Sequence, residues 1–146
     1  MPGTEGRTER GRPKYSNEMK PSTLLTITSL ISIVLLTLHL SDDMVRGFST
    51  PGFDNLTAVA IFVVWLYGTL LVQERLGGYI ITFLGSVCAA AMPLVHMRGT
   101  RFVETVRSDD GFFFYWTVLM LGTTGFFGMI LSARGIWSWW RARRAK

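Results

Sequence analysis

Residues 23–47 read TLLTITSLISIVLLTLHLSDDMVRG. From Thr23 to Leu40 the stretch carries no charge, and it approaches the ~20 residues a helix needs to cross a bilayer. The polar residues that follow decide where that helix ends. Stopping at Leu40 would set Asp42 and Asp43 against the negative end of the helix dipole. Gly47 is a better stop, because glycine adopts the left-handed backbone that terminates helices. Arg46 then occupies the last turn, where a cation is favourable. A helix carried through Arg46 puts His39, Asp42, Asp43 and Arg46 at i, i+3, i+4 and i+7, on one face. Ser32 and Thr28 continue that face. A polar stripe on an apolar span points into a bundle or an aqueous vestibule.

The same pairing of arginine with glycine recurs at Arg98-Gly99 and Arg134-Gly135, and more loosely at Arg75-Leu76-Gly77-Gly78. Three further apolar runs lie between these marks, roughly Leu56–Val72, Tyr79–Met97 and Phe112–Ala133. The helices of a soluble bundle would each show a polar face, and these show almost none. The expected fold is all-α, an integral membrane four-helix bundle running up-down-up-down. Its spans are expected at residues 22–46, 55–75, 78–98 and 110–134. The first run is too long for the apolar core of a signal peptide and has no small-residue cleavage site behind it.

The chain has 146 residues, of which 49% are hydrophobic and only 17% charged, so one domain is expected. Residues 1–21 are polar and rich in glycine and proline, the composition of a disordered tail. Arg7, Arg10, Arg12, Lys14 and Lys20 precede the first span, Arg75 follows the second, and Arg134, Arg141, Arg143, Arg144 and Lys146 follow the fourth. The opposite side holds only Arg46, Arg98, Arg101 and Arg107, a split of 11 to 4. The positive-inside rule then places both termini in the cytoplasm, in the inner (plasma) membrane. The basic balance therefore reports topology, and no nucleic-acid partner is expected. Residues 136–146 read as a cytoplasmic interfacial tail: Trp137, Trp139 and Trp140 suit the headgroup level, and Arg141, Arg143 and Arg144 suit an anionic leaflet.

Small residues mark where helices approach closely in lipid. Gly85 and Ala89 on the third helix, and Gly122, Gly125 and Gly128 on the fourth, are expected to form one packing face. Tyr67, a phenol in hydrocarbon, is expected to turn inward for a hydrogen-bond partner. Pro93 frees the Ala89 carbonyl near the outer end of the third helix. Cys88 is the only cysteine, which excludes an intramolecular disulfide and dithiol redox chemistry.

His96 shares a face with Ala89, Gly85 and Thr82, so it too should point inward. The only two histidines thus fall at one membrane level. The ordinary reading of the polar residues there is caps and ion pairs: Asp42 and Asp43 with Arg46 or Arg98, Asp109 and Asp110 in the first turn of the fourth helix. The sharper reading is a site. His39 and His96 with one or two of Asp42, Asp43, Asp109 and Asp110 would suit zinc or another divalent transition metal. Two histidines between helices could instead hold haem, and a quinone or other small-molecule headgroup is the third alternative. No nucleophile elbow, phosphate loop or HExxH motif occurs. No acid or base lies mid-span, which argues against a proton-coupled pump. The functional expectation is a non-enzymatic accessory or scaffold subunit with a membrane-protein partner or a second copy of itself, and the alternative is a ligand-, haem- or metal-binding protein.

Overall fold

Pro21 opens the first helix, where its missing N–H and fixed φ suit the first helical position. The computed structural model describes residues 20–47, 52–96 and 111–145. These form four helices and no strands: α1 (Pro21–Val45), α2 (Phe53–Leu70), α3 (Leu76–His96) and α4 (Gly111–Arg144). The architecture is the expected all-α four-helix bundle. The end of α1, the end of α3 and the start of α4 meet at one end, through His39, His96 and Phe114. At the other end the start of α1 meets the turn after α2, where Gln73 Nε2 donates to the Ser22 carbonyl at 2.7 Å, and Tyr79 of α3 lies on Gly135 of α4.

α1, α3 and α4 are each long and apolar enough to cross a membrane, and α2 is shorter. The surface fits a lipid environment. Ile27, Ile31, Val34, Val63, Leu84, Phe126 and Phe127 face outward, while Ser29, Ser32, Thr69, Thr82, Ser86, Thr117 and Ser132 are buried. In water that distribution would be unfavourable. In hydrocarbon the outward side chains are solvated, and small hydroxyl residues let helices close on each other. Ser29 and Thr69 share a hydrogen bond of 2.7 Å across α1 and α2, and the Thr69 hydroxyl also donates to the Trp65 carbonyl.

α3 packs most extensively on α4, along part of the expected face. A Cβ on Gly125 would fall 2.5 Å from the Ala90 nitrogen, one on Gly128 would meet the Ser86 hydroxyl, and one on Gly122 would run into the Pro93 ring. Gly85 differs from expectation, because it receives the Trp65 indole of α2 and does not face α4. α2 is accordingly turned so that Trp65, Gly68 and Thr69 face inward. Tyr67, expected inside, is 49% exposed. α3 runs through Pro93 to His96 without a break.

Of the arginine–glycine marks, Gly47 terminates α1 as expected, with φ +71° and the Arg46 N–H bonded to the Asp42 carbonyl. Gly135 does not terminate α4. It admits the Tyr79 ring, which any Cβ would strike, and the helix continues to Arg144. Residues 136–144, expected as a separate tail, are therefore the last turns of α4. Gly77 and Gly78 lie in the first turn of α3, after α2 has already ended at Leu70. The Arg98-Gly99 mark and most of the expected N-terminal tail fall outside the described residues.

Candidate metal centre

Three buried seams converge on one end of the bundle. On α1 the buried residues, Leu35 apart, run Leu25, Ser29, Ser32, Leu36, His39, steps of four and three that keep one side of a helix against its neighbours. On α3 the seam runs Thr82, Gly85, Ser86, Ala89 and leads to His96, the last helical residue. On α4 it runs Ser132, Gly128, Gly125, Leu121, Val118 and reaches Phe114. The expected inward stripe on α1 is thus present, with His39 only 2% exposed.

The two imidazoles meet edge to face, their centroids 4.7 Å apart and their planes at 80°. Asp43, one turn beyond His39, brings Oδ2 to 3.6 Å from His39 Nε2 and to 3.9 Å from His96 Nε2. One ligand atom from each of His39, Asp43 and His96 falls within 4.8 Å of the others. Among the described residues no other group of histidine, cysteine and acidic side chains converges in this way.

Hydrogen bonding orients the set for a cation. The Met92 carbonyl lies 3.0 Å from His96 Nδ1. A carbonyl only accepts, so Nδ1 donates its proton there, and Nε2 is the ring nitrogen left on the Asp43 side. A ring nitrogen held in this way by a carbonyl is the usual outer support of a metal-binding histidine. His39 Nδ1 and Nε2 and Asp43 Oδ1 are buried without a hydrogen-bond partner. Leaving such groups unpaired at a bilayer edge costs on the order of a few kcal/mol. A divalent ion held between the two helices would satisfy His39 Nε2 and the Asp43 carboxylate, one atom from each. Tetrahedral ligation at ~2.1 Å sets donors ~3.4 Å apart, so the set needs to close by no more than about 1.5 Å.

The remaining expected residues divide clearly. Asp42 is committed elsewhere: its Oδ2 accepts from Arg46 Nε at 2.7 Å, the ordinary ion pair. Arg98, Asp109 and Asp110 lie outside the described residues. Sequence reasoning missed Phe114, whose ring lies 5.4 Å from His39 and 5.6 Å from His96 and also carries the Arg46 guanidinium at 5.9 Å. The signal was the seam itself, because stepping back from Gly125 by fours and threes reaches Phe114. The geometry does not suit haem, since bis-histidine ligation sets a porphyrin plane between the rings, and these rings touch. No protein-family model, curated protein or solved structure matches the chain.

Proposed function

We propose that this is a multi-pass membrane protein that binds one divalent transition-metal ion at the histidine end of its bundle. The ligands are His39 Nε2, His96 Nε2 and Asp43 Oδ2. Two imidazoles and a carboxylate suit zinc or copper better than calcium or magnesium, which prefer all-oxygen shells. The observation that carries the reading is the convergence of His39, Asp43 and His96, the first buried with its Nε2 lacking a hydrogen-bond partner and the other two partly buried, on one point between α1 and α3.

Three protein ligands leave at least one coordination position for water or another donor, the pattern of sites that exchange or present an ion. The side chains of His96 and Asp43 are 23% and 17% exposed, which gives an ion a route in. With four spans and the 11-to-4 split of basic residues, the site lies on the non-cytoplasmic side of the plasma membrane. The chain is then an accessory or carrier subunit whose ion ties α1 to α3.

Metal content tests the reading. Protein purified without chelator in mild detergent, or reloaded with zinc and desalted, should carry one equivalent by elemental analysis. His39→Ala and His96→Ala should each carry much less than one while retaining helical circular dichroism. Equal metal in all three proteins would remove the assignment.

A further inference from the structure

At the opposite end, a cavity of about 320 Å³ opens between α1, α3 and α4. Its rim holds Arg134, Ser138 and Tyr79, and its floor is Leu24, Leu25 and Leu131. Leu131 lies about one turn nearer the bundle centre than Arg134, so polar and apolar linings are separated along the helix axes. The cavity is as small as ligand sites come, enough for a headgroup and the first carbons beneath it.

Its depth in the bilayer follows from helix rise. About 20 residues at ~1.5 Å each span the ~30 Å hydrocarbon core. Counted from His39, His96 and Phe114, that distance ends near Lys20, Arg75 and Arg134, all three exposed. The rim therefore lies at headgroup depth and the floor at acyl-chain depth. Pro21, the first residue of α1, also lines the cavity, and the start of α1 has no side-chain cap. Its positive dipole end adds to the Arg134 charge there.

We propose that this cavity binds an anionic diacyl phospholipid, with the phosphate at Arg134 and the start of α1 and the upper acyl carbons on Leu24 and Leu131. Basic crevices between membrane helices hold acidic headgroups in this way, whereas a free phosphate would have no use for the apolar floor. The site is independent of the histidine cluster. It also differs from the groove on the far face of α4, lined by Trp137, Trp140, Arg141 and Arg144.

The test is native mass spectrometry of the full chain in non-ionic detergent, titrated with phosphatidylglycerol or phosphatidylcholine of matched chains. The wild type should retain one phosphatidylglycerol with at least about fivefold preference, the scale of one well-placed arginine. Arg134→Gln should erase that preference, Arg134→Lys should keep most of it, and Arg141→Gln should leave it unchanged. Millimolar inorganic phosphate should not displace the lipid. Equal retention of both lipids by the wild type, an undiminished preference in Arg134→Gln, or displacement by phosphate would each overturn the proposal.

Discussion

Asp43 stands between two histidines from different helices, its Oδ2 at 3.6 Å from His39 Nε2 and 3.9 Å from His96 Nε2. Its neighbour Asp42 points instead to Arg46. Adjacent carboxylates on one helix diverge by about 100°, so the pair is divided between two tasks. Asp43→Asn should weaken zinc affinity by about 100-fold or more, since even outer-shell changes cost 10–100-fold. Asp42→Asn should leave it within about threefold. Isothermal titration of both variants checks the division, and equal losses would contradict it.

The close approach of α3 and α4 depends on Gly125. A side chain there would press on the Ala89 and Ala90 backbone, which cannot move aside as a flexible side chain would. Gly125→Val should destabilise the bundle by about 1–3 kcal/mol. Gly77→Ala, where an added Cβ meets nothing within 4 Å, should be neutral or slightly stabilising. Thermal unfolding in one detergent ranks the two.

Much of this was legible in the sequence. The apolar runs mark four helices, three of them long and apolar enough to cross a bilayer, and helical spacing puts His39, Asp43 and His96 at one level on inward faces. Helix ends were harder to read, because glycine serves two purposes. At Gly47 it supplies a left-handed turn, whereas at Gly135 it admits the Tyr79 ring, and sequence alone does not separate these uses. The rotation of α2 is hidden in the sequence for a related reason. A phenol near a helix end can reach outward, while the Trp65 indole fills the space left by Gly85. Phe114 is not legible in the sequence, because a phenylalanine in an apolar run carries no mark of its neighbours.

The Ser29–Thr69 hydrogen bond joins α1 to α2 within the bundle. Ser29→Ala should cost about 0.6 kcal/mol, the average for interhelical hydrogen bonds in lipid. A double-mutant cycle with Thr69→Val isolates the pair, and additive losses would show that the bond contributes nothing.

Topology has its own check. Reporter fusions after Lys146 and near Arg101 should report opposite sides of the membrane, with Lys146 cytoplasmic, because the basic residues divide 11 to 4 and the richer side stays in. Both reporters on one side would remove the orientation.

Cobalt(II) titration tests the central claim most directly, because its visible absorption reports ligand geometry as well as binding. The account predicts saturation at one equivalent, with the intense bands of a four-coordinate nitrogen–oxygen site and displacement by zinc. It predicts that His39→Ala, His96→Ala and Asp43→Asn each abolish those bands while helical content is unchanged. A wild-type spectrum that remains that of aqueous cobalt, or bands that survive loss of either histidine, would contradict it.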